Sequence, residues 1–303
     1  MRSFSNALLA ASFLLGTGCS IRGRALRAVA DTASMTDGGA FARDDDPELV
    51  ADAVPFALKT MESLADSEHL QDHVGLRLGL ARGFTQYGYA FVQQPAELGG
   101  AHSLAAMQAT LLRARKLYLR ARGYGLDGLR IARGVSEGQL RASDKAALAK
   151  LQKEDAALVY WTIAPWAAAI AANKRDLEMV GDVPAIAGLL DRARELDEGL
   201  EQGALHEFAI TFDPARPEGT TPARQKAHFE RALQLAEGKK ISPYVTYAQA
   251  ALTDDKKAYV AVLKQAASFD VDKPEARDNR LANVLAQRRA VYLLAHLDDV
   301  FSD

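Results

Sequence analysis

The stretch from Tyr160 to Phe212 constrains the fold of this chain most, because it spells out a complete helix, turn, helix, turn, helix unit. Tyr160, Trp161 and Trp166 open a first helix that runs along an alanine-rich face to Asn173. Asp182 then stands at an N-cap position and Pro184 in a first turn, with Ile186, Leu189, Leu190, Ala193 and Leu196 at helical spacing. After a break at Gly203, a third helix carries Leu205, Phe208, Ala209 and Phe212 until Pro214 and Pro217 end it. Helix pairs this short cannot bury their apolar faces alone, so the pattern demands stacked neighbours.

The rest of the chain supplies such neighbours. Asp46 and Pro47 read as a cap and first helical residue for a stripe of Val50, Val54, Ala57, Leu58, Met61 and Leu64. Val74 to Val92 reads as the next helix, with Gly75, Gly79 and Gly83 at four-residue spacing. Arg77 and Arg82 inside it argue for a close-packed soluble helix over a membrane dimer. Ala101 to Arg122 is expected to be helical and to stop at Gly123 and Gly125, with short helices over Leu126 to Ala132 and Ser143 to Gln152. Further starts fall at Thr221-Pro222, Ser242-Pro243 and Thr253, and Pro274 precedes a last helix from Glu275 to Val300. No stretch alternates long enough to predict a strand, and 49% hydrophobic with 25% charged residues is globular composition. The expected fold is all-α, a solenoid of degenerate tetratricopeptide-like hairpins. Small residues at Ala193, Ala232 and Ala266 recur near the period of about 34 residues without being regular.

The N-terminus carries a second signal. Arg2 precedes an apolar run from Ala7 to Leu15, then Gly16-Thr17-Gly18 and Cys19, the sole cysteine, which therefore has no internal disulfide partner. This resembles a bacterial lipoprotein signal, in which the peptide is removed and Cys19 acylated, although Gly16 stands where a leucine-like residue is usual. An ordinary cleaved signal and a free buried cysteine are the alternatives. The expected organisation is a signal over 1–19, a tether and first packing element over 20–43, and a helical domain over 44–303. The apolar run is too short to span a bilayer.

Chemistry is sparse. His206-Glu207 begins like a zinc-protease motif, but Ile210 stands where the second histidine belongs. His69 and His73, with Asp66 or Asp72, have the spacing of a metal site, against which stands the plain reading of surface histidines near a turn. Asp44-Asp45-Asp46 lacks calcium-loop spacing and reads as a helix start. Gly123-Tyr124-Gly125 follows a helix, whereas a dinucleotide fingerprint follows a strand. No nucleophile elbow is present, so no enzyme, metal or cofactor is expected. A net charge of -2 with no basic aromatic block excludes nucleic acid. Three polar or aromatic features remain. Asn279, Asn283 and Gln287 recur every four residues and either satisfy the backbone of neighbouring helix ends, the favoured reading, or face a polar ligand. Tyr160, Trp161 and Trp166, with the aromatic run at Tyr87 and Tyr89, are core or line a ligand passage, and His206 lies between apolar neighbours.

Several of these segments together carry a resemblance. Asp44-Asp45-Asp46-Pro47-Glu48-Leu49-Val50, Thr85-Gln86-Tyr87-Gly88-Tyr89-Ala90-Phe91-Val92, Tyr160-Trp161, Gly203-Ala204-Leu205-His206-Glu207-Phe208, His228-Phe229-Glu230-Arg231-Ala232-Leu233 and Asn279-Arg280-Leu281-Ala282-Asn283 make the chain similar to one family. That family is the T-component of tripartite ATP-independent periplasmic (TRAP) transporters. The resemblance implies a non-catalytic, lipid-anchored periplasmic protein, on the outer membrane in preference to the inner, that forms a homo-oligomer, a trimer. It also implies association with the transporter's periplasmic substrate-binding protein and a passage suited to a small hydrophobic or amphipathic ligand. Tyr87, Tyr89, Tyr160, Trp161, Trp166 and His206 are the candidate lining residues. A protein-assembly scaffold of the outer membrane that binds only proteins is the competing reading, and a metal-dependent hydrolase a more distant one.

Overall fold

The computed structural model describes residues 23–301 apart from 33, 35–38 and 101; Cys19 and the signal segment lie outside them. The described chain is all-α and begins with a helix over residues 23–32, called α1. It continues through α2 (Pro47–Ala65), α3 (Val74–Gly88), α4 (Leu104–Arg133), α5 (Glu137–Arg141), α6 (Lys145–Ala149), α7 (Ala156–Ala171), α8 (Leu177–Val180) and α9 (Val183–Leu196). The C-terminal part comprises α10 (Ala204–Phe212), α11 (Pro222–Ala236), α12 (Ser242–Ala251), α13 (Lys256–Ala267) and α14 (Arg280–Ala295).

Local chemistry sets the helix starts. The Asp46 carboxylate accepts from Leu49 N at 2.9 Å with Pro47 in the first turn, and Thr221 Oγ1 accepts from Arg224 N at 3.2 Å ahead of Pro222. The glycine row of α3 does admit a neighbour: a Cβ on Gly79 would stand 2.7 Å from Met61 Cε, and one on Gly83 2.6 Å from Leu58 Cδ2. The side chains of α2 therefore sit directly on the α3 backbone, which offsets the propensity that glycine costs a helix.

Three expectations need correction. Gly123 and Gly125 do not stop a helix, because α4 runs on to Arg133 and ends at Gly134, whose φ is +62°. Gly125 and Gly128 instead let α7 approach, since a Cβ on Gly125 would meet Thr162 and one on Gly128 would stand 2.8 Å from Leu158 Cδ1. The expected helix from Ser143 shrinks to α6, because Ser143 has a φ of +52° and Asp144 supplies the cap, accepting from Ala146 N at 2.8 Å. The last helix is broken into a 3-10 segment over Pro274–Asn279, α14 and a 3-10 turn over Leu297–Asp299. At its first turn, Leu281 N donates to Ala42 O at 3.0 Å, a bond to a distant part of the chain.

Packing runs in sequence from α2 through α3, α4, α7, α9, α10, α11, α12 and α13 to α14, and α14 then touches α2. A one-dimensional stack leaves its two ends apart. Here they meet: Arg288 pairs with Glu48, Arg280 Nη2 lies 2.7 Å from Asp45 Oδ2, and Arg43 Nε donates to Asp278 at 2.7 Å. The circuit is closed a second time by the α3–α4 connection, where Gln94 Nε2 donates to Leu285 O at 3.2 Å and Arg289 Nη2 to Glu97 at 2.8 Å. Helix lengths vary along the circuit and no constant repeat emerges.

The glycine pattern of α4 makes a sharp prediction. Gly125→Val forces the α4–α7 contact apart and should lower unfolding free energy in urea by about 1–3 kcal/mol. Gly123→Ala, with no atom within 4 Å of the new methyl, should raise it by about 0.5–1 kcal/mol.

Candidate functional site

Aromatic and charged side chains from the N-terminal helices and the returning C-terminal ones converge on a site around Glu201 and Glu207. Its near wall is organised by the turn after α9. Glu201 (φ +43°), Gln202 (+60°) and Gly203 (+90°) are all left-handed, a conformation that residues bearing a Cβ adopt at a cost of about 1–2 kcal/mol each. The strained backbone turns successive side chains to different elements. The Glu201 carboxylate accepts from Arg82 of α3 and, at 2.7 Å, from Trp161 Nε1 of α7, while Gln202 Oε1 accepts from Asn279 at the entry to α14 at 2.9 Å. Gly203 presses on α11, where an added Cβ would stand 3.0 Å from the Ala232 carbonyl oxygen. Lys240 Nζ donates to Glu201 O at 3.2 Å and lies 3.6 Å from Glu207, whose carboxylate also accepts from Ser242 Oγ at 2.9 Å and Thr246 Oγ1 at 3.0 Å.

The far wall follows the irregular α3–α4 connection. Tyr89–Gln93 is wound as a π-helix, and the following turn kinks at Leu98 and at Gly99, with a φ of +79°. A hydrogen-bonded chain crosses from it to both halves. Tyr118 Oη of α4 donates to Gln93 at 2.6 Å, Gln93 Nε2 donates to Glu97 at 2.7 Å, and Arg289 of α14 bonds Glu97 and, at 2.7 Å, Gln249 of α12. None of this network was visible in the sequence, because its partners lie up to 192 residues apart. The one local signal was the pair Gln93 and Glu97, spaced one helical turn apart.

Tyr89 and Tyr160 differ from the other aromatic candidates. Tyr89 is 46% exposed, yet burial pushes its phenol pKa up, with Glu97, Glu207 and Arg289 as its charged neighbours. Tyr160 is partly exposed and has its pKa raised in the same way by burial, next to Glu201, Glu207 and Arg82. Neither hydroxyl has a hydrogen-bond partner among the described residues.

The remaining candidates lie elsewhere. Trp166 is 0% exposed, donates from Nε1 to Asp182 at 3.0 Å and stacks under Arg122 at 4.1 Å, so it is core with no surface to offer a passage. That bond also occupies the Asp182 carboxylate, which makes no cap hydrogen bond at the start of α9. Tyr87 packs against two of the apolar clusters, under Arg113. Trp161 is buried apart from its edge and holds Glu201 in place. In the amide stripe, Asn283 accepts from Ile241 N at 3.2 Å and donates to Lys239 O at 2.9 Å, and Gln287 donates to Ala267 O and Phe269 O. Both residues thus satisfy the backbone at helix ends. His73 caps α3 through Nδ1, 3.0 Å from Leu76 N, with Nε2 3.0 Å from Asp31, so both ring nitrogens are engaged. No cluster of three or more metal-ligating side chains occurs among the described residues.

His206 is buried and joins a relay that sequence reading missed. Its Nδ1 lies 2.9 Å from Nδ1 of His228 in α11, its Nε2 lies 3.0 Å from Glu198, and His228 Nε2 lies 3.3 Å from Asp213. Burial lowers the His206 pKa below its usual 6.5, while the Arg231 guanidinium, aided by His206, holds Glu198 down at about 2. Neutral His206 therefore donates from Nε2 to the Glu198 carboxylate and accepts at Nδ1 from His228.

The fold defines an all-α protein whose helices pack in a closed circuit. Comparison with known proteins is more specific: a family model for the TRAP transporter T-component matches residues 43–301. An uncharacterised protein of Treponema pallidum (strain Nichols) is 31% identical over 318 residues, covering 97% of this chain and 96% of the relative. The chain belongs to the TRAP transporter T-component family, which makes it an accessory component of such a transport system.

Two predictions follow from this geometry. Gly203→Ala, which combines a left-handed backbone with a backbone contact, should destabilise by about 1–3 kcal/mol in chemical denaturation. Because the folded pKa of His206 lies below its unfolded value, the unfolded chain binds the extra proton first and stability falls as pH drops below about 6.5. The slope from this one site should approach at most about 1.4 kcal/mol per pH unit, and His206→Gln should flatten the denaturation-midpoint profile between about pH 6.5 and 5.

Proposed function

We propose that this chain is the non-catalytic, lipid-anchored periplasmic component of a TRAP system, docking the substrate-binding protein and holding or passing a small apolar or amphipathic ligand. Family membership supports the system, and the aromatic side chains gathered near Glu207 (Tyr89, Tyr160 and Phe208) support the ligand. In this reading the helical circuit is a degenerate tetratricopeptide-like solenoid drawn closed by α14, acylation of Cys19 ties it to the outer membrane, and three copies form the working unit. No described helix is long and apolar enough to cross a membrane, consistent with anchoring through a lipid. Leu49 and Phe56, 59% and 79% exposed at positions two turns apart on α2, give an associating protein apolar surface to bury. Energy for movement would come from the permease's ion gradient, and the T-component would contribute only differential binding.

Sedimentation of the chain from Ser20 onward, alone and mixed with the periplasmic binding protein encoded beside it, tests this reading. A trimer alone and a heavier species on mixing are expected, with Phe56→Ser weakening one of the two associations. A monomer indifferent to the binding protein would refute the docking role and favour a scaffold for other proteins.

A further inference from the structure

No acidic residue stands between Glu97 and Asp127, although 39 of the 303 residues are Asp or Glu. Leu98 through Leu112 has no Lys or Arg either, and the cations Arg113, Arg115, Lys116, Arg120 and Arg122 follow at once. This stretch covers most of α4, which buries nothing before Ala114. Met107, Thr110 and Leu111 are half-buried on one side of its opening turns. Leu104 and Leu112, both more than half exposed, face outward on the other with Ala105, Gln108 and Ala109 between them. Arg115, Arg120 and Arg122 are engaged by Asp176, Glu62 and Glu137. Arg113 lies over the Tyr87 ring and Lys116 is exposed, and neither meets a carboxylate among the described residues. Arg115 donates to the Ala169 carbonyl at 3.3 Å and to Asp176 at 2.5 Å, which holds the turn between α7 and α8 against this part of α4. The turn adds exposed Lys174, Arg175 and Leu177, while its own carboxylates are taken, Asp176 by Arg115 and Glu178 by Arg141 at 3.4 Å.

We infer that this face of α4, with the adjoining α7–α8 turn, lies on a membrane surface rich in anionic phospholipid. Leu104, Leu112 and Leu177 enter the boundary between head groups and acyl chains, a depth of about 5–10 Å, and Arg113, Lys116, Lys174 and Arg175 reach the phosphates. The chemistry of the face favours lipid over protein in two ways. Its polar groups are long flexible cations and one amide, which suit a fluid surface of phosphates and offer little to a partner of fixed geometry. A second copy packed on it face to face brings the same unpaired cations together with no carboxylate to offset them. The contact is separate from acylation of Cys19 and goes beyond it, because a basic and apolar patch supplies a second membrane signal from the folded domain itself.

Co-flotation of the chain from Ser20 onward, which holds every described residue and no acylation site, measures this contact on two kinds of vesicle. One is phosphatidylglycerol with phosphatidylethanolamine, the other phosphatidylcholine alone. Binding to the anionic vesicles is expected to be at least roughly tenfold tighter and to weaken as salt is raised. Lys116→Gln with Lys174→Gln should weaken anionic binding roughly tenfold and leave the phosphatidylcholine binding unchanged. Leu104→Ser with Leu112→Ser should weaken both by roughly tenfold or more. All four side chains are exposed, so urea midpoints close to that of the unmodified chain show that the fold survives. Equal binding to the two vesicle types would overturn the role of the cations, and undiminished binding by the leucine variant would overturn the role of the α4 face. No flotation of the unmodified chain would overturn the membrane contact itself, and self-association in sedimentation that the leucine variant abolishes would then assign the face to a second copy.

Discussion

The return of α14 to the N-terminal helices is the constraint on which the rest of the molecule depends. A stack of helices packed only on its neighbours has two free ends and an open concave face. Here the contacts from Glu48 and Asp45 to α14, from Arg43 to the 3-10 segment before it, and from Gln94 and Glu97 to α14 join parts of the chain 191 to 240 residues apart in sequence. The outer contacts are exposed ion pairs that contribute little individually. The inner one, Arg289 to Glu97, is largely withdrawn from water and braced by Gln93 and Gln249, so it fixes geometry where surface pairs cannot. Closure brings Tyr89 of the α3–α4 connection near Glu207 of α10 and Arg289 of α14.

The turn at Glu201, Gln202 and Gly203 shows what that closure requires of the backbone. Regular helix would send consecutive side chains around one axis, whereas this position must reach α3 and α7, the start of α14, and α11 within three residues. Left-handed dihedrals at two residues with side chains meet that demand at an energetic cost, which the bonds to Arg82, Trp161 and Asn279 offset. The same turn brings Lys240 between Glu201 and Glu207 and so completes the charge pairing of the wall.

What could be read from the sequence was what depends on near neighbours. The caps at Asp46 and Thr221, the proline starts, the end of α10 before Pro214 and the glycine row of α3 are all statements about residues within one or two turns. Gly123 and Gly125 misled because a glycine pair that ends a helix and a glycine face that admits another helix look alike until the partner, Thr162 of α7, is known. Trp166 and Trp161 looked equivalent by composition, and only tertiary contact separates a core indole bonded to Asp182 from one that orients Glu201. The Arg289 network and the His206–His228 relay depend on pairs brought together by the circuit, and no periodicity marks them.

These two polar sets also divide the response to pH. The site around Glu201 and Glu207 presents phenols whose pKa is raised by burial beside carboxylates paired with cations. The histidine relay lies between α10 and α11, backed by Glu198 and Asp213, with Arg194, Arg216, Arg224 and Arg231 as the surrounding cations. Burial first, then the charge of Arg194, opposes a further positive charge at His206, while Glu198 favours one. Acidification therefore acts first on the α10–α11 hairpin, through the burial-depressed His206.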